Sequence, residues 1–117
     1  MPSDTDIDAG KLTQRLAIEQ DVGTSLDATG QHVEDWQAWG SPATRAAAVR
    51  QLSGREVERA AMLYAEATHL ITLRYVSGIT PVKMRGKLGA RIFNFGAVNN
   101  VDEANIKLEI LASERLG

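Results

Sequence analysis

The chain has 117 residues, of which 44% are hydrophobic and 24% charged, a composition that predicts one globular domain. Its formal net charge of −2 and pI of about 5.6 disfavour a dedicated nucleic-acid-binding protein, because such domains are usually basic. The absence of cysteine excludes disulfides, thiolate nucleophiles and cysteine-based zinc or iron–sulfur sites.

The N-terminal residues 1–9 are predicted to form a flexible tail ahead of a single domain at residues 10–117. The tail contains three aspartates and lacks the basic start and apolar run of a signal peptide. No segment approaches the roughly 18 consecutive apolar residues that span a membrane. We therefore expect a soluble protein with no membrane contact.

Two strands are predicted before Gly40, separated by a polar loop at Asp21–Gly30. Leu12–Gln20 alternates apolar and polar residues, which is typical of a half-buried strand. Gln31–Ala38 is the second strand, and the Gly-Ser-Pro sequence that begins at Gly40 ends it. The next element, Thr44–Leu52, suits a strand or a helix, because it contains three consecutive alanines.

A helix is predicted at Ser53–Ala65. Ser53 and Glu56 form an S-x-x-E capping box, in which each residue satisfies a backbone N–H group of the other. Apolar residues then recur at helical spacing and predict one buried stripe: Val57, Ala60, Ala61 and Tyr64. Three charged residues lie off this stripe and could form part of a subunit interface: Arg55, Glu58 and Arg59.

Four more strands are predicted after the helix, with β-branched and aromatic residues enriched in the first of them. They are Thr68–Val76, Val82–Leu88, Arg91–Val98 and Ile106–Ser113. Short strands separated by turn residues indicate a mainly β fold. We predict a small antiparallel β-barrel or sandwich of about six strands, with one inserted α-helix and long loops.

No catalytic, cofactor-binding or metal-binding residues are predicted. His32 and His69 lack metal-ligand spacing, and His69 is interpreted as a half-buried structural residue of a strand. Nothing supports a hydrolase triad of Ser53, His69 and Asp102, because no G-x-S-x-G elbow is present. The glycines lack the spacing of a nucleotide-binding loop, so we expect a non-enzymatic protein without cofactors.

Basic and aromatic residues suggest further contact surfaces. Lys83, Arg85 and Lys87 share one face of a predicted strand and could meet an acidic subunit or DNA phosphates. A solvated barrel face is the favoured interpretation of this run. Of Trp36 and Trp39, either both pack in the core, or one anchors the core and the other is available to a neighbour, and Trp39 is counted among the possible interface residues.

From Gly10 to Glu114 the chain resembles the phage head–tail joining family, also called head–tail adaptors, stoppers or head-closure proteins. The resemblance rests on an ordered set of segments rather than on one decisive motif. It departs from the family between Trp39 and Gln51, where Gly-Ser-Pro and alanines replace the usual continuation. The matching segments are the opening G-x-L-x-x-R at Gly10–Arg15, L-S-G-R-E at Leu52–Glu56, Thr68–Tyr75, G-I-T-P at Gly78–Pro81 and the turn Val98–Glu103.

The resemblance implies a structural protein of the virion neck. Such a protein forms a homo-oligomeric ring between the portal or adaptor ring and the tail terminator or other tail proteins. It lines or closes the DNA channel without sequence-specific DNA binding, and it offers the tail a platform. It is found in tailed phages or gene transfer agents and is assembled in the bacterial cytoplasm. The alternatives are another neck or tail-completion barrel and, from a different class, a hydrolase.

Overall fold

Seven strands and one short helix follow one another along residues 9–115, the part of the chain that the computed structural model describes. Short 3-10 turns at Ala9–Lys11 and Val101–Glu103 precede β1 and join β6 to β7. The elements are β1 Gln14–Asp21, β2 Trp36–Ala38, β3 Thr44–Gln51, α1 Gly54–Ala60, β4 His69–Arg74, β5 Met84–Leu88, β6 Arg91–Asn100 and β7 Lys107–Arg115.

Six of the strands close into an antiparallel barrel in the order β1-β3-β4-β7-β6-β5, and β5 pairs back onto β1. β2 lies outside the barrel. It pairs with the C-terminal part of β1. β3 pairs with the N-terminal part of β1 along the same edge, and β5 pairs along the opposite edge. The prediction of a small antiparallel barrel of about six strands with one inserted helix is confirmed, and β2 is an additional strand.

The core lies inside the barrel because β1, β4 and β7 alternate buried side chains with more exposed ones. Its largest fully buried side chains come from opposite walls: Phe93, Leu16, Ile18, Ile71, Leu73 and Ile110. Full burial of one such side chain stabilises the fold by roughly 1.5–3 kcal/mol. A side chain at Gly86 would stand 2.9 Å from Leu16 and 3.2 Å from Phe95, so a glycine here lets the two walls pack closely.

The helix is shorter than predicted, because turns replace it after Ala60. The capping box is confirmed, since Ser53 N donates to Glu56 Oε1 at 3.0 Å and both of its bonds are present. The predicted apolar stripe is only partly buried: Ala60 packs against the barrel, whereas Val57 and Ala61 are exposed. With one buried residue in α1, packing does not extend the helix to Ala65.

Other boundaries also differ from the sequence predictions. The segment predicted as the second strand, Gln31–Ala38, is a strand only over Trp36–Ala38. Thr44–Gln51 is a strand despite its alanines, because it pairs with β1 on one side and with β4 on the other. Of the predicted tail at residues 1–9, only Ala9 is among the described residues.

Candidate subunit interfaces

Residues 22–35 form a hairpin that joins β1 to β2 and is almost entirely exposed. Asp21, the last residue of β1, holds the base of this hairpin. Its Oδ1 accepts hydrogen bonds from the backbone N–H groups of Gly23 and Asp35, both at 2.9 Å. Its Oδ2 lies 2.7 Å from His32 Nε2. The two backbone donors, and then His32, lower the pKa of Asp21 to about 2.

The far end of the hairpin is closed by Asp27, whose Oδ1 accepts from Gln31 N and from both the backbone and the hydroxyl group of Thr29. These bonds lower the pKa of Asp27, the Thr29 hydroxyl having the largest effect. The apolar side chains of the hairpin point away from any core: Val22 is 48% exposed, Leu26 68% and Val33 44%. The hairpin is thus held by polar bonds and presents apolar groups to solvent.

The three basic residues predicted to form a ridge are not equivalent. Lys83 precedes β5 in a turn, and Arg85 is buried, so the expected solvated face is wrong for that residue. The guanidinium of Arg85 stacks 4.1 Å from the ring centre of Trp36, and its Nε donates to Glu19 at 2.8 Å. Glu19 and Arg85 are direct cross-strand partners, which explains the ion pair. Lys87 is half-buried.

Both tryptophans are half-buried, so neither is a fully buried core residue and neither is fully exposed. Trp39 packs against the edge of the barrel core, and the Arg45 guanidinium lies 5.8 Å from its ring centre. The Trp39 ring also covers Gly78, where an added side chain would approach it to 3.0 Å. A contact through Trp39 would therefore use only the remaining exposed part of the ring.

A groove of about 530 Å³ lies between α1 and the outer face of the barrel. Its apolar lining comes from the helix region and from three strands: Leu52, Ala60, Leu63, Leu70, Ala97, Val98 and Leu111. Leu63 is 76% exposed and the neighbouring Met62 is 88% exposed. We call this feature the α1 groove. The groove could not be predicted from the sequence, because Met62 and Leu63 fall inside the predicted helix, whereas α1 ends at Ala60.

Charged residues surround the α1 groove. Arg50 binds the Glu56 carboxylate through two hydrogen bonds, both of 2.7 Å. The Arg50 guanidinium, together with the Ser53 backbone N–H, lowers the pKa of Glu56 to about 2. Arg55 and Arg59 are exposed on α1, and no ion pair holds either of them among residues 9–115. The predicted charged face of the helix is therefore open to a partner.

His69 is more deeply buried than predicted, with 7% of the residue exposed. Its Nδ1 lies 2.8 Å from the Thr68 hydroxyl, and its ring meets the edge of Phe93 with the centres 5.1 Å apart. Burial lowers the pKa of His69, which Glu114 opposes. The hydrogen-bond and ring partners of His69 are therefore Thr68 and Phe93, and not the Ser53 and Asp102 of a hydrolase triad.

In residues 9–115, no group of three or more histidine, aspartate or glutamate side chains could hold a metal ion. No helix in that part of the chain has the length and apolar character needed to cross a membrane. The surfaces around the hairpin and α1 remain as the features that a partner could recognise.

Comparison with known proteins identifies the family. Residues 7–115 match the family model of the phage head completion protein. A protein of Shigella flexneri 2a, solved in solution, has a TM-score of 0.65 and 29% identity, over 92% of this chain and 96% of that one. A chain from the virion of a native gene transfer agent particle has a TM-score of 0.59 and 24% identity, over 90% and 96%. Curated protein sequences give no significant match. The chain belongs to the phage head completion protein family.

Proposed function

We propose that this protein forms a ring in the neck of a phage or gene transfer agent particle, between the portal or adaptor ring and the tail. The ring extends or closes the DNA channel and provides the platform to which the tail attaches. The family match over residues 7–115 is the observation that carries this proposal, because it includes the barrel, the hairpin and the helix.

The closed barrel suits a ring subunit. Each of its six strands pairs with a strand on both sides, so the barrel leaves little unpaired sheet edge for a neighbouring subunit. Contacts between subunits then depend on side chains and loops, which can differ on the two sides of one subunit. Exposed Arg55, Glu58, Arg59 and Lys83 are available for such contacts.

The remaining proposed interface residues act less directly. Arg85 is held inside the subunit by Glu19 and Trp36, so it orders that wall of the barrel. Lys87 and Trp39 are half-buried and contribute only their exposed atoms. The partners that we propose are other copies of the chain, the portal or adaptor ring, and tail proteins including the tail terminator.

Passing double-stranded DNA is a further neighbour but not a sequence-specific ligand. The chain has a net charge of −2, and a weakly acidic wall repels phosphates instead of retaining them. Such repulsion lets DNA move through a channel without binding to its wall. We propose that assembly takes place in the bacterial cytoplasm and that the protein then remains in the finished particle.

The test is to purify the particles, count copies of this chain against the portal protein, and reconstruct the neck by electron microscopy. One ring between portal and tail, with a fixed copy number, would support the proposal. Particles from a deletion strain provide the control, and they should lack both the ring and the attached tail. A position along the tail would instead favour a tail-completion barrel, and absence from finished particles would contradict a structural role.

A further inference from the structure

Two apolar features of this chain lack a partner within the subunit. The 22–35 hairpin exposes Val22, Leu26 and Val33, of which Leu26 is 68% exposed. The α1 groove is lined mainly by apolar side chains, among them Leu63, which is 76% exposed. Apolar side chains that are exposed together on a surface are characteristic of regions that become covered on assembly.

The hairpin and the groove lie on opposite walls of the barrel. The hairpin extends from the end of β1. The floor of the groove comes from Leu70 in β4, Leu111 in β7 and Val98 in β6, and is therefore centred on β7. β7 is three strands away from β1 in either direction around the six-stranded barrel. The hairpin of one subunit is thus placed to reach the groove of the next, not its own.

The hairpin is acidic, and two arginines without an ion-pair partner in residues 9–115 lie at the groove, where positive and negative charges balance. Residues 22–35 contain Asp27, Glu34 and Asp35 but no lysine or arginine. Beside the groove, Arg55 and Arg59 are exposed and have no ion-pair partner in residues 9–115. The acidic residues that line the groove are Glu56 and Glu109. Arg50 donates a hydrogen bond to Glu56 and attracts the Glu109 carboxylate electrostatically. Glu58 is a further exposed acid on α1.

We propose that the 22–35 hairpin of one subunit inserts its apolar side chains into the α1 groove of the adjacent copy. The proposal rests on the ring proposed above and specifies which two surfaces join its subunits. A contact between two different surfaces on opposite sides of a subunit is heterologous, and it closes into a ring when the rotation permits. Arg59 and Arg55 would lie near the acidic hairpin at the margin of the contact, where they favour the correct orientation.

The experiment uses paired cysteines in purified particles, because the natural chain contains none. In the Leu26→Cys/Leu63→Cys variant, mild oxidation should join each hairpin to the next groove and give a ladder of covalent oligomers that a reductant removes. A disulfide forms only where the two Cα atoms approach within about 7 Å. Both positions are exposed, so the replacements leave the core intact.

The matched control is Leu26→Cys/Val82→Cys, because Val82 is also 68% exposed but lies just before β5, outside the groove. This control should stay monomeric on a non-reducing gel. An equal ladder from the control, or dimers from Leu26→Cys alone, would overturn the hairpin–groove contact.

The same particles separate the failure of this inference from failure of the proposed function. A neck ring that contains the chain but gives no ladder would overturn the hairpin–groove contact and leave the head-completion role in place. Absence of the chain from purified particles would overturn both proposals.

Discussion

The barrel and the 22–35 hairpin are stabilised by different interactions. In the barrel, apolar side chains such as Phe93 and Ile110 are fully buried and the strands pair on both sides. In the hairpin, the apolar side chains are exposed, and hydrogen bonds to Asp21 and Asp27 hold the backbone. The apolar side chains of the barrel are therefore covered within the subunit, whereas the hairpin has its shape fixed and its apolar surface still uncovered.

Substitution of a buried and an exposed apolar residue should give the largest contrast between the two regions. Phe93→Ala leaves a cavity in the barrel, and we expect it to lower the free energy of unfolding by about 3–5 kcal/mol. Leu26→Ala in the hairpin should change it by less than about 0.5 kcal/mol. Urea denaturation of both variants measures the difference. Similar losses would mean that Leu26 is buried in the free subunit.

Two glycines test how closely the helix region packs on the barrel. An added Cβ at Gly96 would overlap the Tyr64 ring, so Gly96→Ala should destabilise the chain by about 1–3 kcal/mol. Gly54→Ala, at the start of α1, meets no atom within 4 Å and should be neutral or slightly stabilising. Thermal unfolding of the two variants makes the comparison. An unchanged midpoint for Gly96→Ala would show that Tyr64 moves aside freely.

Asp21→Asn should weaken the base of the hairpin and leave the barrel unaffected. The folded-state pKa of Asp21 is about 2, below its usual 3.8, so the carboxylate stabilises the fold above pH 3.8. That contribution is lost as the pH falls from 3.8 towards 2. At neutral pH we expect faster amide hydrogen exchange at Gly23 and Asp35 in the variant.

The control for this prediction is Asp27→Asn, which should speed exchange only near the hairpin turn. Amides of β7 should exchange at the same rate in both variants and in the natural chain. Faster exchange throughout β7 would contradict an independent role for Asp21.

The smallest expected effect is a pH dependence from His69 in the barrel. Burial lowers its pKa below the usual 6.5, so the folded state disfavours the protonated ring. Its contribution to stability is therefore present above pH 6.5 and declines as the pH falls through 6.5 towards the folded-state pKa. In His69→Gln this decline should be absent, as measured by unfolding from pH 8 to pH 5. An identical pH profile in both proteins would show that His69 is protonated equally in both states.

The barrel was predictable from the sequence because its signals are local. Alternation marks the strands, and Ser53 with Glu56 marks the start of the helix, as the structure confirms. The length of α1 was not predictable, since its end depends on how much of the helix meets the barrel. Ala60 does so, whereas Val57 and Ala61 do not.

The surroundings of Arg85 show a second limit of sequence analysis. Its spacing from Lys83 and Lys87 indicated a solvated basic face, but strand register places it opposite Glu19 and beside Trp36. Strand register determines which residues from distant parts of the sequence lie opposite each other. The spacing of residues within one strand does not reveal that register. The α1 groove was missed for a related reason, because its floor combines β4, β6 and β7.

Barrel closure has a consequence for the order of synthesis and assembly. β1 is translated early, but its partner β5 follows much later, and Glu19 and Arg85 are separated by 66 positions. β7, which pairs with both β4 and β6 and supplies Leu111 to the groove, is translated after the other six strands of residues 9–115. Contacts this distant in sequence form slowly. Until β7 has been translated, a chain would carry its hairpin but no finished groove, so the proposed hairpin–groove contact could not form.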